Sequence, residues 1–288
     1  MTDAGSGLHG AHASGRPSDM RTVIAPVTTI WRDRQRSARD RELLFGEAFR
    51  VEGDADGLVF GRADRDGYPG FVDATALSDR AIAPTDRITV ARSYALLSPE
   101  PLLDPLHAAV EMLPLSFGAR VRCIGAASRR WVEIDLGRPH PGGVDGERHA
   151  YVPRIHMGEL VPMADPVAVA ELLLGTPYLW GGNSAFGIDC SGLVQIACLA
   201  CGIPCPGDSH QQEAELGELL ADPNPNDLRR GDLMFWKGHV AWVADGSRIL
   251  HANAHHMAVA FEDRAAAVAR IKGQGGGPVT ALKRLAPG

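Results

Sequence analysis

The chain has 288 residues, 45 % of them apolar, with 29 basic against 35 acidic side chains and a formal net charge of −6. That length and composition are enough to bury ordinary cores in roughly two domains, which excludes wholesale disorder, and the net negative surface offers no field to gather a polyanion. The 33 glycines and 20 prolines exceed the usual share of about 12 % and favour a loop-rich, strand-rich protein over a helical bundle.

Residues 1–20 are rich in Gly, Ser, His and Ala and lack the basic start and apolar run of a secretory signal, so they read as a disordered tail. No apolar run reaches the roughly 18 residues that a membrane helix needs. Five cysteines, an odd number, leave at least one outside any intramolecular disulfide, which fits a reducing compartment. The expectation is a cytoplasmic protein with neither membrane nor nucleic acid as a partner.

From Arg21 to about Leu160, short alternating runs broken by Gly, Asp and Pro predict closely spaced strands. At an offset of 72 residues Phe45-Gly46 falls on Phe117-Gly118 and Val51 on Cys123; after a gap, Phe71-Val72 falls on Tyr151-Val152. This pattern predicts a duplicated small β unit, residues 21–84 and 85–160, each sized for a small barrel, with His140–Gly146 as an inserted loop. Residues 161–288 differ in texture. Asp165-Pro166 opens a helix that runs through Leu174 to Gly175, a second helix is expected over Cys190–Cys201 ahead of Gly202, and a third over Ser209–Leu220. Strand patterns follow at residues 232–236, 240–243 and 248–250, and helices followed by strands imply an α+β domain with an antiparallel sheet.

Cys190 stands in the first turn of the second helix, where the positive end of the helix dipole favours a thiolate. A lone cysteine is by default an inert buried side chain. His239 and His251 raise Cys190 above that default, because they flank the turn Ala244-Asp245-Gly246. With those three residues as the loop and Gly246 left-handed, the two imidazoles face each other across a hairpin. A thiol, a base and a polar group that orients the base form a nucleophilic triad in general form.

The segments Asp189-Cys190-Ser191-Gly192-Leu193-Val194, Gly231-Asp232-Leu233, Gly238-His239-Val240 and Ile249-Leu250-His251-Ala252 resemble the NlpC family of papain-like cell-wall cysteine peptidases. Upstream, Leu43-Leu44-Phe45-Gly46-Glu47 and Gly67-Tyr68-Pro69-Gly70-Phe71-Val72 resemble the first bacterial SH3-like domain of the branch that cleaves γ-D-glutamyl-L-diamino acid bonds. The resemblance implies two SH3-like barrels followed by a papain-like catalytic domain. It implies Cys190 as nucleophile, His239 as base and His251 as the orienting residue, with the Cys190 backbone N–H as an oxyanion donor. It further implies that Glu47, Tyr68, Tyr178, Asp189, Ser191 and Ser209 bind the free amino end of the substrate. Carboxylates and tyrosine oxygens also suit a buried ammonium on physical grounds. The implied activity is hydrolysis of wall-derived peptides with a free N-terminal L-alanine, in recycling, without metal or cofactor.

Other readings compete. Cys198, Cys201 and Cys205 with His255 and His256 contain one CxxC, set on a helix, which suits core packing better than a four-ligand zinc site. Trp180, Trp236 and Trp242 read as a carbohydrate platform on one view, but the strand positions Trp236 and Trp242 suit a core better. The whole chain reads alternatively as an inactive wall-peptide adaptor, although such a relative should have lost Cys190 or His239, or as a papain-like amidase on another small substrate.

Overall fold

The computed structural model describes residues 19–97, 112–126, 128–138, 149–221 and 227–286. The expected loop His140–Gly146 and the first 18 residues of the expected tail lie outside them, while Met20 already opens the first strand.

The first unit contains β1 Met20–Val23, β2 Val27–Trp31, β3 Arg39–Leu44, β4 Ala48–Ala55, β5 Leu58–Ala63, β6 Pro69–Asp73 and β7 Leu77–Ser78. The second contains β8 Asp86–Ile88, β9 Arg92–Leu96, β10 Met112–Ser116, β11 Arg120–Gly125, β12 Trp131–Asp135, β13 His149–Pro153 and β14 Met157–Glu159. Their sheets run β3-β2-β6-β5-β4-β1-β7 and β10-β9-β13-β12-β11-β8-β14, which is one strand order used twice. Alternate residues on each strand supply separate cores, one around Ile30, Phe49 and Val72 and the other around Leu115, Ile134 and Val152. The tight turns before β4 and β11 use Gly46 (φ +79°) and Gly118 (φ +84°), a backbone region that favours glycine.

Among the described residues no pairing joins the outer strands of either sheet, β3 to β7 or β10 to β14. Their outer strands instead meet the third unit. The Asn183 N–H donates to Glu42 of β3, and the Ala185 N–H donates to Ser116 Oγ at the end of β10.

The third unit comprises α1 Pro166–Glu171, β15 Asn183–Ser184, β16 Gly187–Ile188, α2 Cys190–Ala200, α3 Ser209–Glu215, β17 Glu218–Leu219, β18 Asp232–Trp236, β19 His239–Val243, β20 Arg248–Asn253, β21 Ala258–Asp263, α4 Arg264–Gly273 and β22 Ala281–Arg284. Its main sheet, β17-β22-β18-β19-β20-β21, is antiparallel throughout. One face packs on α2 through Leu233, Phe235, Val240, Trp242 and Leu250, and the other carries Met234, Trp236, Val243 and Ile249 beneath Ala267 of α4. Burying each such side chain contributes about 1.5–3 kcal/mol, and both tryptophans belong to the core. Leu44 and Phe117, from the two N-terminal sheets, enter the same core as α2, which ties all three units together.

The helix expected over Ser209–Leu220 stops at Glu215, because Gly217 turns left-handed and residues 218–219 join the sheet. The strands of residues 258–263 and 281–284 and helix α4 extend beyond the sequence reading. Among the described residues no helix is long and apolar enough to cross a membrane.

Candidate active site

Asp189 caps α2, accepting from the Gly192 N–H at 2.7 Å and the Gly181 N–H at 3.0 Å, and so fixes Cys190 at the first helical position. The Cys190 sulfur lies within reach of the Val240 and Ser191 backbone N–H groups. Nevertheless burial, together with the Asp189 carboxylate, pushes the thiol up to about 12. Burial and the neighbouring carboxylate thus oppose the lowering that the helix terminus favours. Desolvation at this sulfur outweighs the backbone dipoles and favours the neutral thiol.

His239 opens β19 and His251 lies mid-strand in β20, with His239 Nε2 2.9 Å from His251 Nδ1. The hairpin register differs from the expected one. Trp242 pairs with Leu250 and Val243 with Ile249, a shift of two residues, and the loop is Asp245-Gly246-Ser247. Asp245 closes that loop by accepting from the Ser247 and Arg248 N–H groups, so Gly246 needs no left-handed φ. A two-residue slip preserves faces in a period-two strand, and the histidines still meet.

Beyond them, His251 Nε2 lies 3.1 Å from Glu262 Oε2, and Arg270 of α4 donates to both Glu262 oxygens at 2.8 and 2.7 Å. The Arg270 bonds hold the Glu262 carboxyl down at about 2, so it is ionised and can only accept. This fixes both tautomers. His251 carries its proton on Nε2, its Nδ1 accepts from the His239 Nε2–H, and His239 Nδ1 is left as the basic lone pair. Burial, then the neighbouring His251, pushes His239 down to about 3, and burial pushes His251 down to about 4 despite Glu262. Among the described residues no hydrogen bond joins the Cys190 thiol to either imidazole.

The expected substrate-binding residues are arranged differently. Tyr178 is held beside Asp189 by a parallel bridge to Ile188 and by its N–H to Met257 O, and burial raises its hydroxyl above the ordinary range. Ser191 Oγ donates to Asp189 Oδ1 at 3.0 Å. Tyr68 reaches across from the first sheet, and its hydroxyl donates to Asp208 Oδ2 at 3.2 Å. Ser209 is only the first residue of α3, half-buried; the preceding Asp208 is the side chain that joins the cluster. Glu47 is engaged elsewhere: it accepts from the Leu44 N–H and, at 2.7 and 2.9 Å, from Arg65.

The centre of the cluster is Arg41 of β3, whose side chain is 3 % exposed. Its Nη1 donates to both Asp189 oxygens, and its Nη2 donates to Ser191 Oγ at 2.7 Å and Asp208 Oδ1 at 2.6 Å. Burial works against this charge, but Asp189 and Asp208 outweigh it and hold Arg41 protonated. The sequence reading lacks Arg41, Asp208, Glu262 and Arg270. His251, His256 and Glu262 bring ligand-capable atoms within 4.8 Å of one another, although Glu262 is already bound by Arg270 and His251. The five cysteines are free.

Residues 175–269 match the NlpC/P60 family, and residues 32–77 match the bacterial dipeptidyl-peptidase Sh3 domain. Dipeptidyl-peptidase 6 of Lysinibacillus sphaericus is 38 % identical over 88 residues, covering 30 % of this chain and 31 % of that protein. The γ-D-glutamyl-L-lysine dipeptidyl-peptidase of Bacillus subtilis strain 168 is 34 % identical over 114 residues, covering 34 % of this chain and 37 % of that protein. The chain thus spans about a third of the length of these curated relatives. An NlpC/P60 family protein from Bacillus cereus ATCC 10987, 18 % identical, superposes over 93 % of this chain and 100 % of its own with a TM-score of 0.73, which shows a common fold. In the order of its own sheets, the chain thus carries a bacterial Sh3 domain at residues 32–77 and an NlpC/P60 domain at residues 175–269.

Proposed function

We propose that the chain is a cysteine peptidase that hydrolyses the γ-D-glutamyl-L-diamino acid bond of peptidoglycan-derived peptides. The observation that carries this reading is the ordered chain Glu262–His251–His239, which presents a neutral basic nitrogen on the strand whose Val240 N–H meets the Cys190 sulfur. The substrate class comes from relatives named for the γ-D-glutamyl-L-lysine bond. The second seven-stranded sheet, with the strand order of the first, is read as a second SH3-like unit.

In this mechanism Cys190 and His239 are both neutral at rest, so the thiol proton passes to His239 Nδ1 as sulfur attacks the carbonyl. His251, held by Glu262, stabilises the imidazolium that forms. The Cys190 N–H, at the start of α2, donates to the oxyanion, and His239 returns the proton to the leaving amine. The resemblance further implies a free N-terminal L-alanine and a place in recycling; this reading commits to neither, since Arg41 lies at the amine end.

The test is incubation with L-Ala-γ-D-Glu-diaminopimelate and detection of L-Ala-D-Glu by mass. Cys190→Ala and His239→Ala should remain folded and release none above a mock preparation, whereas His251→Ala should retain a residue of activity. Full release by Cys190→Ala would exclude the thiol mechanism. A folded parent that releases nothing would favour the adaptor reading.

A further inference from the structure

A free α-ammonium entering the subsite beside Cys190 needs acceptors, preferably charged ones. The carboxylates present already carry partners. Asp189 Oδ1 accepts from the Gly192 N–H at 2.7 Å, Ser191 Oγ at 3.0 Å and Arg41 Nη1 at 3.1 Å. Its Oδ2 accepts from the Gly181 N–H at 3.0 Å and Arg41 Nη1 at 2.8 Å. Ser191 Oγ spends its proton on Asp189 and accepts from Arg41 Nη2. Asp208 divides its oxygens between Arg41 Nη2 and the Tyr68 hydroxyl. Glu47, the remaining expected partner, is paired with Arg65.

Arg41 is not a loose plug. It is almost fully buried, projects from β3 of the first sheet, and spans 148 residues of sequence to reach Asp189. Its planar fork suits two carboxylates and a hydroxyl at once. An incoming ammonium would replace one cation with another while leaving the guanidinium buried without acceptors, so exchange gains no charge pairing and loses geometry. An amide N–H, by contrast, needs only a neutral acceptor, and the Tyr68 and Tyr178 hydroxyls belong to this cluster.

We infer that Arg41 is a specificity-determining residue: it stands as a built-in cation in the subsite beside Cys190, so the site does not require a free amino group and takes peptides whose N-terminal alanine is acylated. The inference rests on the peptidase reading above. It turns the expected dead-end amine pocket into a neutralised wall along which a substrate with an amide-linked alanine can lie.

The experiment compares kcat/KM for L-Ala-γ-D-Glu-diaminopimelate and its N-acetyl form on the parent, on Arg41→Gln, and on Arg41→Ala with and without guanidinium ion. On the parent the two substrates should differ by less than about tenfold, the equivalent of 1.4 kcal/mol. Arg41→Gln uncovers Asp189 and Asp208 and should shift the ratio toward the free peptide by at least about tenfold, the scale of one charged hydrogen bond. Guanidinium ion added to Arg41→Ala should reverse that shift. If the variants fail to fold, as thermal melts would show, the parent ratio decides alone. A parent preference for the free peptide of tenfold or more overturns the inference and leaves the peptidase reading intact. A parent that cleaves neither peptide overturns that reading and the inference with it.

Discussion

Replacing Glu262 by Gln tests whether the far end of the histidine chain governs the base. Gln still offers an oxygen to His251 but removes the charge that Arg270 and the His251 Nε2–H both address at 2.7 and 3.1 Å. A hydrogen bond to a charged group contributes about 1.5–3 kcal/mol, and the imidazolium that His251 supports exists only as the reaction proceeds. The loss should therefore appear in kcat, about 10- to 100-fold at 1.4 kcal/mol per decade, with KM nearly unchanged because Glu262 is not placed against substrate. The assay is initial-rate release of L-Ala-D-Glu over a substrate range, with a thermal melt to confirm folding. Arg270→Gln, which leaves the carboxylate in place, should cost less than Glu262→Gln. A folded Glu262→Gln with parental kcat would refute the role given to the Glu262 charge, since a neutral amide would then serve as well as the ion.

Three further outcomes are expected. His239 and His251 have folded pKa values, about 3 and about 4, below the ordinary histidine value, so their contribution to stability is complete above about pH 6.5 and is lost as pH falls toward 4. Each adds a slope of up to ~1.4 kcal/mol per pH unit, and Glu262, held down at about 2, adds its own loss only below the ordinary glutamate range; urea midpoints between pH 7 and 4.5 should fall in the parent and flatten in His239→Gln/His251→Gln, and parallel curves would contradict the buried neutral pair. Iodoacetamide at neutral pH should label Cys190 no faster than Cys123 or Cys201, whose thiols burial raises to about 11, and mass analysis of each peptide would expose the opposite, a resting thiolate at Cys190. Gly207→Ala would place a Cβ 2.9 Å from Tyr68 and 3.0 Å from Arg41 Nε, displacing the loop that carries Asp208, so KM should rise with kcat kept; an unchanged KM would show that this loop does not touch the substrate.

How much of this was legible in the sequence depended on how local each signal was. The Asp189 cap and Gly202 stop bracket α2 within a dozen residues, and the Asp165-Pro166 start of α1 is equally local. The two histidines fall on one face under either loop, because a slip of two residues leaves period-two faces unchanged. The offset that aligned Phe45-Gly46 with Phe117-Gly118 reappears as two left-handed glycines in matching turns of two identically ordered sheets. Arg41 gave no such signal. Its partners lie 148, 150 and 167 residues away, on elements of another unit, and an arginine in a charged run looks like a solvated face. Glu262 was reachable in principle, since Ala258–Asp263 is a strand next to β20, but nothing local distinguishes it from a surface carboxylate until Arg270 and His251 are brought to it. The thiol's surroundings divide in the same way: a helix start can be read from sequence, whereas the burial that opposes it cannot.

The central claim is covalent catalysis by Cys190 on a γ-D-glutamyl bond, and the most direct measurement is the intact and peptide mass of the protein quenched by acid during turnover of L-Ala-γ-D-Glu-diaminopimelate. An L-Ala-γ-D-glutamyl adduct on the Cys190 peptide, absent from Cys190→Ala and accumulating when His239 is replaced by a weaker base that still permits acylation, is the expected result. Hydrolysis that proceeds with the adduct on another cysteine, or with the same rate in Cys190→Ala, would contradict it.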